Sequence, residues 1–191
     1  MEDFKKILTE AEQGDITAMW ETAKFLLKNH STPDYETEAL KWLTIYEKGN
    51  KIEAMKNLAN LYGQIYETDI DKFNKIIEWY SNAAKLGDCY SMVDIGQMYF
   101  VGEYVEKNYE EAFKWFKKAR ELGSNRSNYY LGLCYAKGLG VLQNDLKAIE
   151  YFRIFYYDGY VGVGIEALAD TYYEDDSIPD NKAKAFKYYK I

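Results

Sequence analysis

Four scarcities bound what this chain of 191 residues can be. Cysteine is the first. Cys89 and Cys134 are the only two, too few for a disulfide framework and without metal-ligand spacing around them. They read as small buried hydrophobes. Histidine is the second: His30 stands alone, with no serine or cysteine placed to form a nucleophile–base pair with it. No catalytic residue, metal site or cofactor is expected, so the chain reads as a non-enzyme. Basic charge is the third, since 24 Lys and Arg face 31 Asp and Glu for a formal charge of -7. A field of that sign repels nucleic acid and anionic membrane surfaces, and neither is an expected partner. Long apolar runs are the fourth. The opening MEDFKKILTEAEQGDITAMW scatters acids among its apolar positions, so no signal peptide or membrane anchor is expected and the expected compartment is the cytoplasm. In that compartment the sequons at Asn29 and Asn125 carry no sugar.

What the chain has in abundance is self-similarity. The blocks Ala39–Trp42, Ile76–Trp79, Ala112–Trp115, Ala148–Tyr151 and Ala185–Tyr188 align, and their aromatics recur at intervals of 37, 36, 36 and 37 residues. A second column holds Thr22, Leu58, Ile95, Leu131 and Leu168. Beside it run Ala23, Ala59, Gly96, Gly132 and Ala169, and three residues further on Leu26, Tyr62, Tyr99, Tyr135 and Tyr172. Both halves of the unit place apolar residues at helical spacing, which predicts two amphipathic helices joined by a short turn. Neither helix can hide its stripe alone, so neighbouring units must stack. Gly96 and Gly132 each cost about 1 kcal/mol of helix propensity relative to alanine. Close approach of an aromatic on the partner helix is the expected reason.

Gly138 and Gly140, followed by Lys147, raise the question of a phosphate-binding loop. The same gap occurs in other units, and GLGV in the fourth corresponds to GEYV, Gly102 to Val105, in the third. Neither GxxxxGK[ST] nor a strand followed by GxGxxG is present, and GYVGVG from Gly159 to Gly164 also lacks the pattern. The expected structure is a helix C-terminal glycine turn with Val141 tucked beneath it.

The unit Gly87, Ser91, Ile95, Gly96, Tyr99, Gly102 and Val105, followed by Ala112, Trp115, Phe116, Ala119 and Gly123, resembles the Sel-one-like repeat (SLR), a relative of the tetratricopeptide repeat. The likeness covers nearly the whole chain, with the end units most degenerate. It implies an all-α fold: a right-handed α-α superhelix, or solenoid, of about five stacked helix-turn-helix units. The chain is read as one domain, with an N-terminal helix at 1–13 and units at about 14–49, 50–86, 87–122, 123–159 and 160–191. The cysteine-rich, disulfide-stapled members of the family are a poor guide, because Cys89 and Cys134 fall in mismatched positions of successive units.

The implied function is that of a protein-binding adaptor or inhibitor acting by occupancy, with a bacterial immunity or regulatory role among the options. The alternative is a structural subunit that self-assembles, as a homodimer, through its uncapped C-terminal repeat. In related solenoids the first helix of each pair lines the concave groove. That assigns to the groove Trp20, Lys24, Lys56, Asn60, Val93, Gln97, Tyr129, Leu133, Glu166 and Asp170, with Leu27, Phe100 and Tyr173 from the next column. Aromatics among mixed charges suit protein recognition, although Trp20, Phe100 and Tyr129 have a second reading as core. Glu166, Asp170, Glu174, Asp175, Asp176 and Asp180 occur without an intervening Lys or Arg. This acidic stretch either steers a basic partner or is a solvated face. It lacks the glycine and alternating oxygens of a calcium loop, and Asp180 is expected to cap the last helix.

Overall fold

The computed structural model describes residues 2–29, 33–66, 70–156, 161–176, 178 and 180–190. His30, the turn around it and Gly159 lie outside the described residues. Eleven helices and no strand occur among those described: α1 (Glu2–Glu12), α2 (Ile16–Asn29), α3 (Pro33–Tyr46), α4 (Lys51–Ile65), α5 (Ile70–Lys85), α6 (Cys89–Val101), α7 (Tyr109–Glu121), α8 (Arg126–Lys137), α9 (Asp145–Phe155), α10 (Val161–Glu174) and α11 (Asn181–Tyr189). This is the all-α helical repeat that the spacing predicts. The helices gather into two compact units, one ending at Ser91 and the other beginning at Met92.

Short polar side chains start the helices. Asp15 and Asp88 accept the backbone N–H of Ala18 and Ser91, each at 2.9 Å. Asn50, Asn108 and Asn144 do the same for Glu53, Glu111 and Lys147 at 3.3, 3.1 and 3.0 Å. Each satisfies one of the donors that a helix leaves open at its first turn. Asp180 departs from expectation. It occupies the position before α11, but its backbone is left-handed with φ of 56° and its side chain caps nothing. Asn181 takes over locally, accepting the N–H of Lys182 at 2.7 Å.

In the first unit, α2 packs on α3 and α4 on α5. Their buried faces carry Ala23, Leu43, Leu58, Ala59, Leu61 and Tyr62. In the second unit the interior falls into two clusters. One gathers Val93, Ala112, Phe116, Ala119, Leu131 and Cys134. The other gathers Ala136, Ala148, Phe152, Leu168, Tyr172 and Ala185. The helical glycines have the expected cause. A Cβ on Gly96 would fall 2.5 Å from the Phe116 ring, and one on Gly132 would fall 2.6 Å from the Phe152 ring. The residue that needs the space is therefore the one after the Trp column.

The glycine turn after α8 is structural. Gly138 closes the helix in the left-handed conformation, its N–H donating to Cys134 O. Gly140 lies so close to α7 that a Cβ there would come within 2.2 Å of Tyr109 O, which leaves no room for a phosphate. Val141 packs partly buried against the first cluster. In the GEYV turn Tyr104 adopts the same hand, with φ of 64°.

A polar contact recurs between successive repeats. In the first unit Tyr62 donates to Glu36 Oε1 at 2.5 Å, and Lys75 bonds Glu36 Oε2 at 3.1 Å. In the second unit Tyr172 donates to Asp145 Oδ1 at 2.5 Å and Tyr188 to Asp145 Oδ2, while Gln143 Nε2 donates to the Tyr172 oxygen at 2.8 Å. Glu36 and Asp145 hold the same place in their repeats, three residues before the Ala column, where the other copies have Phe73, Tyr109 and Lys182.

Candidate functional site

Each predicted groove residue sits on the first helix of a repeat. In the first unit the residues are Trp20, Lys24, Lys56 and Asn60. Trp20 is half-buried against the Tyr46 ring, with centroids 5.6 Å apart. It lines an open cavity of about 370 Å³ with Ile16, Thr17, Tyr46, Glu47 and Asn57. Lys24 lies 4.0 Å from Glu21 and Lys56 2.9 Å from Glu53, so both pair within their own helix. Asn60 is exposed and accepts the Tyr80 hydroxyl at 2.7 Å.

Within the second unit the row runs along α6, α8 and α10. Gln97 on α6 bonds across to α8: its Oε1 accepts from Arg126 at 2.7 Å, and its Nε2 donates to the Tyr130 hydroxyl. Arg126 also pairs with Asp94 at 3.2 Å. Tyr129 and Leu133 are half-buried and pack on the second cluster. The Tyr129 ring lies 6.0 Å from Phe152 and 5.3 Å from Phe155. Burial, and after it the neighbouring Tyr156, pushes the Tyr129 hydroxyl pKa upward. Glu166, Asp170, Tyr173 and Glu174 stand exposed along α10, Tyr173 with half its surface open. Asp170 accepts the Tyr189 hydroxyl at 2.5 Å, and that bond is the first cause pushing the Tyr189 pKa up to about 12.

Two expected groove residues, Val93 and Leu27, are interior, and a third, Phe100, is partly so. Val93 has no exposed surface and belongs to the cluster around Phe116, so a partner has no access to it. Leu27 is likewise buried. Phe100 is partly buried with its ring edge-on to Tyr109, Phe116 and Tyr130. The cause is the environment of a first helix, which second helices and neighbouring first helices cover on more than one side, so its apolar stripe is wider than one face.

The acidic stretch also divides. Asp175 pairs with Lys137 at 2.6 Å and Asp176 accepts from Asn181 at 3.2 Å. Glu166, Asp170 and Glu174 remain as an outward series on α10, spaced by four residues. Among the described residues there is no group of three or more His, Cys, Asp or Glu able to hold a metal ion, and no helix is long and apolar enough to cross a membrane. Cys134 is buried, and that burial pushes its thiol up to about 12, which keeps it protonated and inert.

Comparison with known proteins follows the same repeats. A model of the Sel1 repeat matches residues 52–88, 89–124, 125–160 and 164–191. Among solved structures the chain is similar to a Sel1 repeat protein from Oxalobacter formigenes, with 22% identity, a TM-score of 0.56, and coverage of 99% of this chain and 77% of that one. It is also similar to a protective antigen of uropathogenic Escherichia coli displaying an SLR fold, with 22% identity and a TM-score of 0.55. That match covers 98% of this chain and 40% of the antigen, so the chain spans well under half of that protein's length. These are likenesses of fold. No curated protein matches the chain by sequence.

Proposed function

Because the chain belongs to the Sel1 repeat family, we propose that it is a protein-binding module acting by occupancy, as an adaptor or inhibitor, through the row of side chains on α6, α8 and α10. The observation that carries this reading is the character of α10. Glu166, Asp170, Tyr173 and Glu174 are all exposed, and the half-buried Tyr129 and Leu133 stand at the matching positions of α8. A large aromatic with a polar tip, set among acids that face outward, suits a partner segment bearing Lys or Arg beside an apolar anchor. The acids raise the association rate and the tyrosines slow release. The physical role asked of each side chain is contact and desolvation, with no bond made or broken.

The test is affinity capture from the native cell with the wild-type chain and with Glu166→Lys, Asp170→Lys, Tyr173→Ala, against a control variant, Lys114→Ala, on the second helix α7. A partner retained by wild type and control, released by salt and lost by the α10 variant supports the reading. A partner held equally by all three chains removes α10 from the account.

A further inference from the structure

The aromatic pair of the first repeat has an acid for a neighbour. Trp20 and Tyr46 lie with ring centroids 5.6 Å apart and planes at 50°. Two rings tilted in this way leave a wedge, where a parallel stack would close on itself. Both line the open cavity of about 370 Å³ at the start of α2 and the end of α3, with Ile16, Thr17, Glu47 and Asn57. Trp20, Tyr46 and Glu47 are each partly exposed and Ile16 is 57% exposed, so a solute reaches this wall from solvent.

The fourth repeat shows what is unusual here. Its matching pair is Tyr129 and Phe155, with centroids 5.3 Å apart and planes at 47°. The next residue is Tyr156, whose ring meets Phe155 close to a right angle at 4.9 Å. In the first repeat that position holds Glu47. A carboxylate gains nothing from the negative faces of aromatic rings. It is nevertheless held in place, because Asn57 Nδ2 donates to Glu47 Oε1 at 2.7 Å. Oε2 forms no bond among the described residues. Glu47 is the one charged side chain in the lining, and the carbonyl end of α3 beside it adds to the negative potential.

Ring faces, a carboxylate and a helix C-terminus all favour positive charge. An anion is repelled, and a neutral apolar solute leaves Glu47 without a counterion. A bare metal ion finds a single carboxylate where it needs several oxygen ligands. A primary ammonium brings three N–H donors, which the rings and Ile16 do not satisfy. A fully methylated ammonium spreads its charge over methyl groups, so it meets the rings with no donor stranded.

We propose that this cavity binds a quaternary ammonium group, its methyl groups against the Trp20 and Tyr46 rings and its charge beside the Glu47 carboxylate. The site is independent of the row on α10, and no bond is made or broken in it.

The experiment is a heteronuclear NMR titration of the full chain. Choline is expected to give saturable shifts confined to residues 16–20, 46 and 47, the Trp20 indole N–H and the Asn57 side-chain amide. Its uncharged isostere, 3,3-dimethylbutan-1-ol, is expected to bind about tenfold more weakly, and n-butylammonium more weakly than choline. Glu47→Gln keeps an acceptor for Asn57 and removes the charge, so choline affinity is expected to fall about tenfold while the melting temperature and the affinity for the alcohol hold. Trp20→Leu is expected to lose a similar factor for choline. An absence of saturable shifts with choline overturns the proposal, as does equal binding of choline and the alcohol by the wild-type chain. Glu47→Gln binding choline like wild type overturns it as well. Tighter binding of n-butylammonium than of choline overturns it in favour of a site for a lysine-type ammonium.

Discussion

Gly132→Ala should destabilise the chain, against the ordinary rule that alanine improves a helix. Helix propensity favours the change by about 1 kcal/mol. The new Cβ would fall 2.6 and 2.7 Å from Phe152 Cε1 and Cδ1, about 1 Å inside ordinary contact, and Phe152 has no exposed surface into which it could swing. Overpacking of that kind costs ~1–3 kcal/mol, and the depth of the overlap points to the upper half of the range. The expected net loss is ~1–2 kcal/mol, or a fall of about 2–8 °C in melting temperature for a chain of this size. Urea denaturation followed by circular dichroism measures it. The decisive arm is the same change in a Phe152→Leu background. Ala23 and Leu43, both fully buried, already form that combination at the equivalent positions of the first repeat. There the alanine should stabilise by up to ~1 kcal/mol, giving a coupling of ~2 kcal/mol between the two sites. The same sign in both backgrounds would refute the explanation of the glycine as space for the ring.

Two further outcomes follow from the caps and the tyrosines. Asn144→Ala should cost ~1 kcal/mol because Asn144 Oδ1 accepts the Lys147 N–H, whereas Asp180→Gly should be neutral or stabilising, since Asp180 caps nothing and its backbone is left-handed; thermal melts of the two variants distinguish them. Alkali should unfold the chain. Burial and then the bond to Asp145 raise Tyr188 from 10.0 to about 12, and Tyr62 and Tyr172 are raised for the same reasons, with Glu36 as the carboxylate beside Tyr62. The folded state holds these protons more tightly than the unfolded chain, so their stabilisation is complete below pH 10.0 and disappears as the pH climbs through about 12. Tyrosinate absorbance and circular dichroism, titrated together, should show a late group of tyrosines ionising with loss of helix; complete ionisation near 10.0 with the helices intact would contradict this.

The repeat was legible because stacking forces the same phase on every copy. Columns at a period near 36 residues locate both helices of each pair and the glycine opposite Phe152. The groove was less legible. The offset from the Leu column predicts Val93 there and the position after the Tyr column predicts Leu27, yet both are buried, because a first helix is covered on more than one side and offset alone does not tell which side is open. Val93 is the apolar member of a column otherwise holding Trp20, Lys56, Tyr129 and Glu166, a departure that marks it as interior. The converse departure, Asn128 in a column of methionine and isoleucine, is visible in the same alignment and marks a buried amide whose oxygen has no partner among the described residues. Asp180 misled because a capping residue type says nothing of the hand of its own backbone.

The carboxylate that receives a tyrosine from the following repeat has an evolutionary and engineering consequence. Glu36 and Asp145 fit only a neighbour offering a hydroxyl in the right place, and the sequence has Phe73, Tyr109 and Lys182 at that position of the other copies. The copies are therefore not interchangeable bricks. Transposing or duplicating one of them would strand an acid against an aromatic wall, so the order of modules is encoded at their seams, and lengthening this array would mean recoding each junction along with the module inserted.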